Sequence, residues 1–131
     1  MSFSTNYKTL PNLTLGYNFT VNDNFSDVIY VDSPTVTLEY FFLDAFSFVS
    51  EYSYYHNRNK SNTIDSEYDF LTASLMYQKK DSKWEWKLSG TNLLDTKSLD
   101  TNSFSQLGGT STFSSYRVQP RFVILSLKYR L

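Results

Sequence analysis

The chain has 131 residues, with 12 basic and 13 acidic side chains, a net charge of −1 and no cysteine. That length confines it to one domain or part of one, and the composition excludes thiolate metal sites and disulfide staples. A pI of about 5.7 provides no basic field for nucleic acid or an anionic membrane surface.

Aromatic residues make up 18% of the chain, with 11 Tyr and 11 Phe, yet mean hydropathy is −0.40. This pairing predicts strands that are greasy on one side only, with amphipathic rings near membrane interfaces. No apolar run is long enough for a transmembrane helix. Residues 1–7 lack the basic start and apolar block of a signal peptide.

In chain order, residues 1–8 read as the tail of a strand that ends at Leu10 and Pro11. Over 12–21, Leu13, Leu15, Tyr17, Phe19 and Val21 alternate with Asn12, Thr14, Gly16, Asn18 and Thr20. A period of two is the mark of a half-buried strand. Asn22, Asp23, Asn24 and Asp27, then Asp32 to Pro34, are turn formers, so 22–34 is expected to be a loop. Residues 35–42 form the next strand, with Val36, Leu38, Tyr40 and Phe42 on one side. After a tight turn at 43–45 the chain returns through Phe46, Phe48, Ser50, Tyr52 and Tyr54. His56 to Ser66 reads as a second exposed loop, and 67–78 as a strand with Leu71, Ala73, Leu75 and Tyr77 on one face.

A charged turn at 79–82 leads to 83–91, where Trp84, Trp86, Leu88 and Gly90 oppose Lys83, Glu85, Lys87 and Ser89. The longest connection, 92–119, is rich in Ser and Thr and carries Gly108 and Gly109; insertions of that length are commonly functional. The last strand presents Val123, Leu125, Leu127, Tyr129 and Leu131 on one side, with Ser126, Lys128 and Arg130 on the other. It has the length that a tilted strand needs to cross a bilayer, about 9–11 residues.

The expected connections alternate long and short, which sorts all long loops to one rim of an up-and-down sheet and all tight turns to the other. Outer-membrane barrels have this asymmetry, and it puts the end of the chain at the short-turn rim. The expected fold is therefore all-β, an antiparallel meander of six to seven strands forming part of a transmembrane β-barrel.

Two segments carry a family resemblance. The run Trp84-Glu-Trp-Lys-Leu-Ser-Gly-Thr followed by Asn92, Leu93, Leu94 and Asp95, then Pro120 and Arg121 opening the terminal alternating strand, resembles the end of a TonB-dependent receptor barrel. The resemblance covers the last third of the chain. It implies a Gram-negative outer-membrane receptor that imports a scarce ligand, with energy delivered by TonB through a plug domain. Val123, Leu125, Leu127, Tyr129 and Leu131 would then be the strand read by the barrel-assembly machinery, although Leu131 stands where the family usually has an aromatic residue.

Such receptors have about 22 strands and a plug. Residues 1–131 are accordingly expected to be the carboxyl-terminal part of the barrel domain, without plug or earlier strands. Outer-membrane lipid and the rest of the barrel are the implied partners.

No enzyme or cofactor motif is present. His56 is expected to be a solvated loop residue, and Asp23, Asn24 and Asp27 to be turn formers without the calcium-loop pattern. Glu39, Glu51 and Glu85 are expected to pair with the cations of the polar face, among them Lys83, Lys87, Lys128 and Arg130. Ligand contacts are expected in the loops at 22–34, 57–66 and 98–118. The rival readings are a small standalone outer-membrane barrel and a soluble β-sandwich that binds carbohydrate through exposed Tyr and Trp.

Overall fold

A computed structural model describes residues 1–24, 27–61, 65–105, 110–117 and 119–130, with side chains omitted at 24, 98–105 and 110–117. The described residues are all-β, without helices. In order they form β1 (Ser2–Ser4), β2 (Asn12–Asn24), β3 (Asp27–Phe42), β4 (Phe46–Asn59), β5 (Asp65–Gln78), β6 (Trp84–Thr91), β7 (Ser98–Ser105), β8 (Thr110–Arg117) and β9 (Phe122–Tyr129). Seven of them make one antiparallel sheet in the order β1-β2-β3-β4-β5-β6-β9, and β7 pairs with β8 as a separate hairpin. The six alternating segments and the amino-terminal strand tail of the sequence reading all enter this meander.

The connections differ from those expected. Residues 22–34 are not a loop, because β2 and β3 stay in register to the Asn24–Asp27 pair. Val28-Ile-Tyr-Val31 is a β-branched and aromatic run that favours strand, and its preference outweighs the flanking Asn and Asp residues. Pro34 leaves its mark, since the β3–β4 register lapses at Ser33 and Pro34 and resumes at Thr35–Ser53; proline brings no ladder donor. His56 likewise sits within β4, which runs to Asn59, and β5 already begins at Asp65. The stretch 98–118 carries the β7–β8 hairpin in place of a structureless insertion. Long strands thus project at one rim, but the expected contrast between long loops at one rim and tight turns at the other does not hold, since β2 and β3 pair as far as Asn24–Asp27 at the projecting rim.

The turn at Leu43 and Asp44 has φ of 53° and 52°, closed by Ala45 N donating to Phe42 O at 3.4 Å. Two central residues with positive φ define a type I′ hairpin, whose twist suits the flanking strands. Gln78 N donates to Ala45 O at 2.8 Å and ties this turn to the end of β5.

The sheet is nearly all surface. Ala45 is the sole buried apolar residue among those described, and the solvent-accessible area is 9895 Å². A compact monomer of 15.3 kDa exposes about 7,100 Å². The excess arises because no second layer covers either face of the described sheet. Val123, Leu125 and Leu127 are 61%, 60% and 66% exposed.

Candidate functional site: a two-faced sheet with aromatic margins

The strand register sorts side chains into two faces. On one face the mid-sheet rows run Leu13–Leu38–Ser50–Ala73–Gly90–Val123 and Tyr40–Phe48–Leu75–Leu88–Leu125. The neighbouring rows on the opposite face run Asn12–Glu39–Val49–Ser74–Ser89–Ile124 and Phe41–Ser47–Met76–Lys87–Ser126. The first face is aliphatic and aromatic across its middle, whereas the second is mainly polar there.

Aromatic rows border the apolar band. At the short-turn rim lies the row Phe42–Phe46–Tyr77–Trp86–Leu127. Its rings pack continuously, with centroids 5.3 Å apart for Phe42–Phe46, 5.0 Å for Phe46–Tyr77 and 5.9 Å for Tyr77–Trp86. Trp84 and Tyr129 follow at 4.8 Å. Toward the projecting rim stand Tyr17, Tyr52 and Tyr54. The hydroxyls of Tyr17 and Tyr52 donate to Asp32 and, at 3.2 Å, to Asp69, and Tyr54 is diagonal to Glu67 across the ladder. Tyr17 and Tyr52 thus have an apolar ring on the band side and a polar tip on a carboxylate, the arrangement that suits an aromatic residue at a wet boundary.

Beyond the tyrosines the first face becomes charged across β3 to β5, while Phe19 and Val21 of β2 and Tyr30 of β3 keep its β2 side apolar, Phe19 and Tyr30 stacking at 6.2 Å. Asp32 pairs with Arg58 at 3.1 Å, and the row Asp32–His56–Glu67 crosses β3 to β5. Asp32 is the first charged residue on this face of β3, ten positions before Phe42. At about 3.4 Å per residue and a tilt of about 40°, that is a band roughly 26 Å tall. The opposite face changes in the reverse sense at the same level. Ile29, Val31, Tyr55, Tyr68 and Phe70 occupy it, with Tyr55 and Tyr68 stacked at 5.1 Å. Alternation along single strands does not reveal this exchange, because it becomes visible only once the register aligns neighbours.

The segment at 92–95 is a clamp. Asn92 is 2% exposed and has φ 51°. Its Nδ2 donates to Thr96 O at 2.9 Å and to Gln119 O at 2.8 Å, while its Oδ1 accepts from Thr96 N at 3.0 Å. Leu93 N continues the ladder onto Leu71 O at 2.9 Å. The Leu93 side chain folds back over Gly90, where an added Cβ would come within 2.6 Å of Leu93 Cδ2. Asp95, also left-handed with φ 61°, closes the turn by donating its N–H to Asn92 O at 2.9 Å. The clamp brings 92–95 beside the approach to β9, where Pro120 and Arg121 are exposed coil. Leu94 is 44% exposed. Leu131 lies outside the described residues.

Of the three glutamates expected to pair with cations on the polar face, Glu85 does so, whereas Glu39 and Glu51 form no ion pair among the described residues, because the cations cluster on β6 and β9. Glu85, on the polar face, accepts from Gln78 Nε2 at 3.1 Å and meets Lys128 at 3.8 Å and Arg130. Lys83 instead lies 5.9 Å from the Tyr129 ring centroid. Asp27 accepts from Asn59 Nδ2 at 2.6 Å, from the Ser61 hydroxyl and from Val28 N at 2.9 Å. The Ser61 hydrogen bond chiefly holds the Asp27 carboxyl below its ordinary value of 3.8, with Val28 and Asn59 adding to it against a desolvation push upward. A depressed carboxyl stabilises the fold above its unfolded-state pKa, and that contribution disappears as pH falls through the folded-state value. In an acid titration followed by NMR, the Val28 amide is expected to shift with a midpoint below 3.8 and to stop responding in D27N; a midpoint at or above that value contradicts the assignment.

Searches against protein families, curated proteins and solved structures return no match for this chain.

Proposed function

We propose that the chain is a section of outer-membrane β-barrel wall, the carboxyl-terminal part of a TonB-dependent receptor that takes up a scarce ligand. The observation that carries the reading is the apolar band bordered on one side by packed rings and on the other by tyrosines whose hydroxyls reach a charged row. Its height is close to the roughly 25 Å apolar band of outer-membrane barrels. The clamp at Asn92 to Asp95 and the strand opening at Pro120 and Arg121 supply the family resemblance.

Strand number argues for a larger assembly. Seven antiparallel strands leave β1 and β9 pointing the same way, so the two edges cannot meet with antiparallel pairing. An odd number of further strands closes the barrel. Among the described strands β9 pairs with β6 alone, and its other edge, Phe-Val-Ile-Leu-Ser-Leu-Lys-Tyr, carries no proline and Lys128 as its one charge, little protection for a free edge in water. In hydrocarbon each unmet N–H or C=O costs several kcal/mol. The remainder of the barrel and a plug supply the missing strands and the TonB contact, the assembly machinery reads β9, and lipid covers the apolar face. The projecting hairpins bear the ligand-facing surface. The role is non-enzymatic.

Fractionation of cells expressing the chain tests this reading. The expected result is an envelope protein that only detergent releases. A folded monomer that stays soluble without detergent contradicts it and favours a carbohydrate-binding sandwich.

A further inference from the structure

The ladder gathers three metal-ligating side chains that the sequence leaves apart. His56 of β4 stands directly opposite Glu67 of β5, and Asp65, two residues before Glu67 on the same face, is opposite Arg58. His56 Nε2 lies 2.7 Å from Asp65 Oδ1 and 3.8 Å from Glu67 Oε1, and the three ligand atoms all fall within 4.8 Å of one another. The imidazole side chain is 23% exposed and the carboxylates 73% and 60%, so solvent reaches the cluster while β4 and β5 fix its base.

Charge at this level of the sheet is unbalanced. Arg58 is committed to Asp32 at 3.1 Å, and Asp32 also accepts from Tyr17. Among the described residues, the ion-pair contacts of Asp65 and Glu67 are both with His56.

We propose that His56, Asp65 and Glu67 bind one divalent cation of the zinc class, through Nε2 and one oxygen of each carboxylate. Zinc bonds of about 2.0–2.2 Å in tetrahedral geometry set ligand atoms roughly 3.4 Å apart. The observed 2.7 and 3.8 Å bracket that spacing, and the exposed carboxylates can move by the difference. One imidazole with two carboxylates suits zinc better than magnesium or calcium, which take six or more oxygens or retain their water. The fourth position remains open to water. The site depends on the β4–β5 register alone, so it stands or falls separately from the receptor reading.

The test uses the full chain folded in detergent micelles and titrated with Zn²⁺ against a chromophoric chelator. The expected result is one Zn²⁺ per chain, retained in excess Mg²⁺, with affinity at least tenfold weaker in H56A, H56Q and E67Q. E85Q, whose carboxylate lies at the other rim, is expected to bind as the wild type does. Circular dichroism establishes that each variant keeps its strands, and H56Q serves should H56A fail to fold. No stoichiometric binding, displacement by Mg²⁺, or equal affinity in the folded His56 variants overturns the proposal.

Discussion

Arginine at Leu75 or Leu125 is expected to destabilise the membrane-assembled protein by about 1–3 kcal/mol, between the roughly 2–4 kcal/mol of a basic residue at the bilayer midplane on the lipid face of a barrel and the roughly 0–1 kcal/mol near an interface. Both residues lie in the row Tyr40–Phe48–Leu75–Leu88–Leu125, one row inside the aromatic margin Phe42–Phe46–Tyr77–Trp86–Leu127. Leu125 is 60% exposed, so little protein packing is lost at that position, and the effect reports the solvent that the side chain meets. Ser74 and Ser126, one position away on the opposite face, are the controls. Arginine there projects from the opposite face, at Ser74 between Val49 and Ser89 and at Ser126 beside Lys87, and is expected to shift stability by less than about 1 kcal/mol. Urea titration in lipid vesicles measures all four, and equal costs contradict the assignment of faces.

The second large effect is local. N92A removes two donated hydrogen bonds and one accepted bond at a buried turn, leaving the carbonyls of Thr96 and Gln119 without that partner. Thr96 is half-buried and Gln119 exposed, so each hydrogen bond lost costs about 1 kcal/mol, the low end for a group left unpaired. Alanine also tolerates the left-handed backbone at φ 51° less well than asparagine, by about 1 kcal/mol. The expected total is about 3–4 kcal/mol, measured as a shift in denaturation midpoint. N92G restores the backbone share and not the hydrogen bonds, so it is expected to recover about 1 kcal/mol of the loss. A cost below about 1 kcal/mol for N92A contradicts the clamp.

Particular residues explain how much of the fold was legible in the sequence. Alternation along 12–21, 35–42 and 67–78 placed the strands, because the period of two is set by backbone geometry and survives any register. The type I′ turn at Leu43 and Asp44 was found from the abrupt reversal of the pattern, although neither residue favours positive φ.

What stayed hidden needed cross-strand neighbours. Asp32 reads as a turn former until Arg58 and Tyr17 stand beside it, and then its place in a strand is explained. His56 reads as a loop residue until Glu67 is seen opposite. The exchange of polarity beyond the tyrosines, with Ile29, Val31, Tyr55, Tyr68 and Phe70 on the otherwise polar face, has no signature along any one strand. Asn92 was legible as part of a family-like segment, but its function as a clamp on Gln119 depends on a contact across 27 residues.

The chain has no cysteine, so single cysteines at positions 122–129 can each carry a spin label in lipid-reconstituted protein. Relaxation by oxygen, which concentrates in hydrocarbon, is then compared with relaxation by a water-soluble paramagnetic reagent. Labels at 123, 125 and 127 are predicted to respond mainly to oxygen, and labels at 124, 126 and 128 mainly to the aqueous reagent, alternating residue by residue. Uniform exposure to the aqueous reagent along the strand, or shielding of 123, 125 and 127 from both reagents, would contradict a face turned toward lipid.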